Sequence, residues 1–169
     1  SKSGAQGITV NNGIMYGKSR SSIWARNLDD GRKLWELNNK INYINHGHRT
    51  QISDDYLFIT EKDNNEEIYL YCIDSQDGTV VWKKKVTTND TRLSAPCVYR
   101  TTVFTATNDG ELYAYNANSG NLEWNKKLTN ETNKFVVQPI VYDANLFVGL
   151  GRDYHCVSLE KFDNSPMGY

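Results

Sequence analysis

Short apolar runs separated by turn residues recur along the whole chain. They are rich in the β-branched and aromatic side chains that strands favour, as in GIMYG, YLFIT, TVFTA and NLFVG. A second short run precedes each of them, and these are GITV, RTQIS, APCVY and QPIVY. No segment keeps the period of an amphipathic helix. The pattern therefore predicts an all-β chain.

Two further runs complete each unit, and three units share one ending. The segments IWARNLDDG, LYCIDSQDG and LYAYNANSG each end in a glycine that is followed four positions later by a tryptophan, in the pairs Gly31 and Trp35, Gly78 and Trp82, and Gly120 and Trp124. The first two tryptophans are 47 residues apart and the last two are 42 residues apart. Propeller blades repeat every 40 to 50 residues or so, which is roughly this period.

Each unit predicts four strands, A to D. In the third unit the predicted strands are residues 93–99, 102–107, 111–117 and 122–127. Asp109-Gly110 supplies the turn between B and C, because glycine adopts the positive φ of a tight hairpin. We predict one domain, a β-propeller of about four four-stranded antiparallel blades with an incomplete last blade. The blades cover approximately residues 6–37, 49–85, 93–127 and 135–169.

A small residue recurs at one position of strand C. The residues at this position are Ala25, Cys72, Ala114 and, in the fourth unit, Ser158. A small side chain leaves room for a bulky one at the next blade, and the three repeated tryptophans are the candidates for that role. We therefore interpret Cys72 as a small buried hydrophobic residue.

The segment ATNDGELYAYNANSGNLEW, residues 106–124, resembles the repeat of the PQQ-like β-propeller family. The other units keep the small residue, the turn and the tryptophan, except the last, which keeps only the strand and part of the turn. The family includes quinoprotein dehydrogenases, an outer-membrane assembly scaffold and sensor domains, so the resemblance implies the fold but no single function. It also implies a periplasmic, secreted or luminal location.

The number of blades leaves three interpretations open. Family members usually close with six to eight blades, whereas the fourth unit reaches only SPMGY where strand D and its tryptophan are expected. The chain is then part of a larger propeller, one half of an eight-bladed ring formed by a homodimer, or a closed four-bladed ring. Apolar blade faces exposed at the ends of an open arc would need a cover.

The catalytic signature of the quinoprotein enzymes is not found in the sequence. Those enzymes resemble one another in a calcium site, an aspartate base and often an adjacent pair of cysteines, but Cys72, Cys97 and Cys156 are scattered. Asp30, Asp77 and Asp109 lie in hairpin turns, which accounts for them. We predict no catalytic residue, no bound cofactor and no metal site, since His46 and His48 have no third ligand nearby.

Charge and hydropathy exclude two classes of partner. The chain has 19 Lys and Arg against 20 Asp and Glu, so no strong field attracts nucleic acid or anionic lipid. No apolar run reaches the roughly 20 residues that span a bilayer. We therefore predict a protein partner or self-association, without nucleic acid and without a membrane span.

The remaining candidates for function are long loops on one face of the propeller, because rigid scaffolds often carry binding residues on loops. The candidate interaction residues are Tyr43, His46, His48, Arg49, Arg92, Arg152, Asp153 and Tyr154. The leading prediction is a noncatalytic module that acts as a protein-interaction scaffold or as a self-assembling half-propeller. The alternatives are a cofactor-binding fragment of a PQQ-dependent oxidoreductase and a ligand or stress sensor.

Overall fold

The computed structural model describes residues 6–19, 22–38, 50–62, 67–87, 92–132 and 135–160, and these residues form an all-β structure of four antiparallel sheets. In each sheet the strands pair in sequence order, so each sheet is a meander. Blade 1 contains β1 (Gln6–Asn11), β2 (Ile14–Lys18), β3 (Ser22–Asn27) and β4 (Lys33–Asn38). Blade 2 contains β5 (Gln51–Ser53), β6 (Tyr56–Lys62), β7 (Ile68–Asp74) and β8 (Val80–Thr87).

The third and fourth sheets continue the series. Blade 3 contains β9 (Cys97–Tyr99), β10 (Thr102–Ala106), β11 (Glu111–Asn116) and β12 (Leu122–Lys127). Blade 4 contains three described strands, β13 (Ile140–Tyr142), β14 (Asn145–Leu150) and β15 (Asp153–Ser158). The predicted fold of antiparallel blades is therefore confirmed, and the last blade has three strands within the described residues.

Strand A of blade 3 is shorter than the sequence predicted. The prediction began this strand at Leu93, whereas β9 begins at Cys97. Leu93 forms only an isolated bridge with Thr107, and Pro96 lies between the bridge and the strand without an N–H to donate. Pro96 therefore separates the bridge at Leu93 from β9, whereas the pattern of apolar residues predicts one continuous strand.

A side chain at the end of strand C organises the turn between strands C and D in blades 1, 2 and 3. In blade 1 the Asn27 carboxamide oxygen accepts hydrogen bonds from the backbone N–H groups of Asp29 and Asp30. The Gly31 N–H donates to the Asn27 carbonyl, and Gly31 adopts a φ of 70°. Asp74 and Asn116 make the same turn in blades 2 and 3. The positive φ at this turn position explains why glycine recurs there.

The core lies between the blades. One buried cluster joins Tyr16 and Ile23 of blade 1 to Leu57 and Ile59 of blade 2. A second cluster joins blades 2 and 3, and a third joins blades 3 and 4. Among the residues that the structure describes, no cluster joins blade 4 to blade 1. This part of the chain therefore forms an open arc and does not close as a four-bladed ring.

Polar contacts also connect neighbouring blades. The Lys18 ammonium of blade 1 pairs with the Glu61 carboxylate of blade 2, and both side chains are buried. Burial lowers the pKa of Lys18 to about 8, and the adjacent carboxylate opposes that shift. The Thr60 hydroxyl donates to the Ser94 carbonyl of blade 3 at 2.9 Å. The blades are thus joined by polar contacts as well as by apolar packing.

The buried pair of Lys18 and Glu61 gives a test of the junction between blades 1 and 2. We expect Glu61→Gln to lower the free energy of unfolding by about 3 to 5 kcal/mol, because it leaves a buried ammonium without its counter-charge. Replacing both partners, with Lys18→Met and Glu61→Leu, should cost less than about 1 kcal/mol. Urea unfolding measures both values. An equal loss in the single and the double variant would contradict the pairing.

Candidate interaction surfaces

Two tryptophans pack on the turn of the following blade. Trp35 of blade 1 lies against Gly78 of blade 2, and its indole N–H donates to the Ser75 carbonyl at 2.8 Å. Trp82 of blade 2 lies against Gly120 of blade 3 and donates to the Ala117 carbonyl at 2.9 Å. Each contact combines apolar packing with a satisfied indole donor.

The pairing of strands C and D explains the small residues. The partners are Ala25 with Trp35, Cys72 with Trp82 and Ala114 with Trp124. An aromatic residue of strand B lies beside each indole, and the ring centroids are 6.2, 5.9 and 5.8 Å apart for Tyr16, Phe58 and Phe104. A junction thus presents an aromatic residue, a small residue and a tryptophan to the next blade.

The fourth blade requires one correction. The sequence placed Ser158 at the small position, but Phe147 pairs with Cys156, as Phe58 pairs with Cys72. Cys156 therefore occupies the small position. Ser158 pairs with Asn145, as Asn116 pairs with Thr102, and therefore corresponds to the turn residue Asn116. The prediction was wrong because the fourth unit lacks the glycine and tryptophan that align the other three units.

Gly31 differs from the two glycines that receive a tryptophan. A Cβ atom added at Gly78 or Gly120 would lie 2.7 Å from an indole carbon, whereas one added at Gly31 would meet nothing within 4 Å. Leu28, in the same turn as Gly31, is exposed. The first turn therefore has the geometry of a tryptophan-docking site without a tryptophan.

The outward face of blade 1 is the sheet surface that points away from blade 2. Ile8 and Val10 of β1 lie on it with 53% and 52% of their surface exposed. The Trp24 ring covers Gly17, where an added Cβ would clash with it, and the Arg26 guanidinium lies 5.5 Å from the centre of that ring. Glu36 pairs with Trp24 and Lys33 pairs with Arg26 across β3 and β4, so this face combines apolar residues with charged side chains.

The outward face of blade 4 is the surface that points away from blade 3. Leu146 and Val148 of β14 pack towards blade 3, so the residues that alternate with them point outwards. The outward residues include Ile140, Tyr142, Phe147, Tyr154 and Cys156, all exposed. Tyr154 has 87% of its surface exposed and Tyr142 has 76%. This face is the more aromatic of the two.

The predicted loop residues do not form one described surface. Tyr43, His46, His48 and Arg49 lie outside the described residues. Arg92 is exposed beside the turn between β10 and β11, and its backbone N–H donates to the Asn108 carboxamide oxygen. Arg152 lies in the turn before β15. Asp153 and Tyr154 were predicted in a loop, but they begin β15, because the pairing with Leu150 and Gly149 extends to them.

The thiols differ in their surroundings. Burial raises the pKa of Cys72 to about 12 and that of Cys97 to about 11, so both stay protonated at neutral pH. Cys156 is exposed on the outward face of blade 4. In the described part of the chain no group of three or more His, Cys, Asp or Glu residues is arranged to hold a metal ion.

The comparisons with known proteins agree with this architecture. A family model described as outer membrane protein assembly factor BamB matches residues 19–159. BamB of Yersinia pestis, another outer membrane protein assembly factor, is 26% identical over 114 residues, which cover 63% of this chain and 28% of the relative. The structure of BamB from Moraxella catarrhalis aligns with a TM-score of 0.73 and 15% identity, over 95% of this chain and 48% of that chain.

Two further solved structures share the fold. The computationally designed Ika4 protein aligns with a TM-score of 0.72 and 12% identity, over 94% of this chain and 93% of the designed one. Quinohemoprotein alcohol dehydrogenase from Comamonas testosteroni aligns with a TM-score of 0.65 and 17% identity, over 89% of this chain and 29% of the enzyme. The chain spans less than half the length of the BamB proteins. Within the described residues, no helix is long and apolar enough to cross a membrane.

The docked and the open glycines provide a matched test. Gly31→Ala and Gly120→Ala both place a Cβ on a residue with positive φ, 70° and 67°, so both incur the same backbone strain of about 1 kcal/mol. Only Gly120→Ala also forces the Trp82 ring to move, which should cost about 1 to 3 kcal/mol more. Chemical unfolding monitored by circular dichroism measures the difference. Equal losses would mean that Trp82 does not pack on Gly120.

Proposed function

The chain belongs to the PQQ-like β-propeller family whose model is described as outer membrane protein assembly factor BamB, and from this premise we propose that it is a noncatalytic module that binds protein through the outward faces of blades 1 and 4. The single observation that supports this function is the exposure of those faces. Tyr154 is 87% exposed, whereas Leu70 and Leu112, at the same position of blades 2 and 3, are fully buried.

The location of the exposed residues distinguishes them from ordinary surface hydrophobic residues. Six of the twelve exposed large hydrophobic side chains in the described ranges are grouped on the two outward faces, and these are Ile8, Val10, Ile140, Tyr142, Phe147 and Tyr154. Contiguous apolar patches on soluble proteins commonly mark binding sites. Exposed aromatic residues and an arginine are also the side chains that contribute most to interfaces. Blades 1 and 4 therefore have the composition of binding surfaces.

The named relatives support a role in interaction and a location outside the cytoplasm. Their names describe an outer membrane protein assembly factor, which is a function carried out with other proteins. Because this chain covers less than half of those relatives, their partners do not transfer to it residue by residue. We propose an extracytoplasmic interaction module on this basis.

Two other functions have different support. A half-propeller that assembles with a second copy is favoured by one observation, since blades 1 and 4 present opposite halves of the same kind of junction. The likeness to the quinohemoprotein dehydrogenase is at 17% identity and concerns the fold, because the same scaffold supports many chemistries. We therefore propose no cofactor and no catalytic role for the described residues.

Site-specific photo-crosslinking tests the proposed function. We expect a photoreactive phenylalanine analogue at position 154 or position 10 to form a covalent adduct with a protein in the native host, identified by mass spectrometry. The same analogue at Leu122, which is 51% exposed on the outer strand of blade 3, is the control and should form none. Absence of adducts from both faces, with the folded chain present, would contradict the proposal.

A further inference from the structure

Blades 1 and 4 present complementary halves of one junction. Within the chain, strand B aromatic residues and small strand C residues of one blade face the next blade. Phe147 and Cys156 occupy these positions on the outward face of blade 4. Met15, on the outward face of blade 1, occupies the receiving position that Leu57 and Val103 fill in blades 2 and 3. Within the described residues, each end of the arc therefore has the half of a junction that complements the half at the other end.

The two free halves also depart from the other junctions in a matched way. Ile23 and Ile59 belong to one buried cluster, and Leu112 and Val148 belong to another, so medium-sized side chains fill these positions at the junctions of blades 1 and 2 and of blades 3 and 4. At the free ends the same positions hold Tyr154 and Gly17. The larger side chain of Tyr154 on blade 4 thus corresponds to a glycine, which has no side chain, on blade 1.

The surface above Gly17 is suited to an aromatic ring. Trp24 lies across Gly17 and makes that part of blade 1 flat, with the Arg26 guanidinium 5.5 Å from the indole centre. A tyrosine ring laid on this surface gains aromatic and cation–π contact. Tyr154 is the aromatic residue that blade 4 presents at the matching position.

We propose that the outward face of blade 4 of one copy docks on the outward face of blade 1 of a second copy, and that two such contacts close a ring of eight blades. The proposal rests on the proposed function and names its partner. Head-to-tail contacts that close on themselves use both faces and leave no free edge. The structure of Moraxella catarrhalis BamB is consistent with this size at the level of fold, since the present arc covers 48% of it.

A second copy fits these faces better than an unrelated partner does. The three junctions inside the chain already show how one blade of this sequence packs on another, and the contact between copies repeats that packing. A designed chain that this one covers to 93% adopts the same fold, so four blades can constitute a chain of their own.

Sedimentation equilibrium of the full chain tests the partner. We expect a mass of twice 19.3 kDa that dissociates on dilution through about the micromolar range. Tyr154→Asp and Val10→Asp, each at an exposed position of one outward face, should both give monomers, whereas Leu122→Asp should remain a dimer. Circular dichroism and unfolding curves verify that all three variants are folded. A wild-type monomer at about 100 μM would overturn the proposal.

Mixing the two monomeric variants tests the head-to-tail arrangement. Tyr154→Asp keeps an intact blade 1 and Val10→Asp keeps an intact blade 4, so the mixture can form one intact contact and should show a heterodimer. A dimer that pairs blade 1 with blade 1, or blade 4 with blade 4, would be broken by only one of the variants, and that result would contradict the arrangement.

The Cys156 thiol reports on the same contact without substitution. It is exposed on the outward face of blade 4, whereas Cys72 and Cys97 are buried. We expect its reaction with a thiol reagent to slow at least about threefold when the chain is concentrated from monomer to dimer. A dimer with unchanged Cys156 reactivity would place the contact elsewhere.

Crosslinks from position 154 to a different protein, together with a monomeric mass, would overturn the second copy as partner while retaining the proposed function.

Discussion

Two of the three junctions in the arc depend on the docking of a tryptophan from one blade on the glycine turn of the next. Trp35 and Trp82 each need three features at once, which are a small neighbour on strand C, a glycine without a Cβ on the following blade and a carbonyl that accepts the indole N–H. A sheet with two apolar faces cannot bury both by itself. The junctions therefore supply most of the core, and a blade is stable only beside another blade.

This dependence makes the ends of the arc different from its middle. Blades 2 and 3 are covered on both faces, whereas blades 1 and 4 each leave one face uncovered in the described structure. The uncovered faces carry bulky or charged residues, Tyr154, Trp24 and Arg26, at positions where the middle blades have aliphatic or tyrosine side chains. The proposed function follows from this difference, because a partner that covers these faces would complete packing that the described blades begin.

Much of the fold could be predicted from the sequence, because the repeated glycine and tryptophan mark the same turn in three units. The same reasoning failed in the fourth unit, where neither marker is present. The pattern therefore predicts Ser158 as the small residue where the structure has Cys156, and it predicts a loop at Tyr154 where the structure has β15. Strand register decides both positions, and a short apolar run does not specify register when its turn has no marker.

The outward faces of blades 1 and 4 were harder to predict than the blades. The sequence predicts long charged loops as the interaction surface, whereas the aromatic residues of β13 and β15 look like core residues in the sequence. Only the described structure shows that no described blade covers their side. The buried pair of Lys18 and Glu61 gave no signal either, because its partners are 43 residues apart and belong to different blades. Contacts between units depend on how the sheets face each other, and the pattern of residues within one unit does not specify that arrangement.

A double-mutant cycle between Trp82 and Gly120 tests the central interaction most directly. The free energies of unfolding of the wild type, Trp82→Ala, Gly120→Ala and the double variant would be measured under the same conditions. If the indole packs on the turn, Gly120→Ala costs less once the ring is removed, and the coupling energy is about 1 kcal/mol or more. Strictly additive losses would show that the two residues act independently and would contradict the docking of each blade on the next.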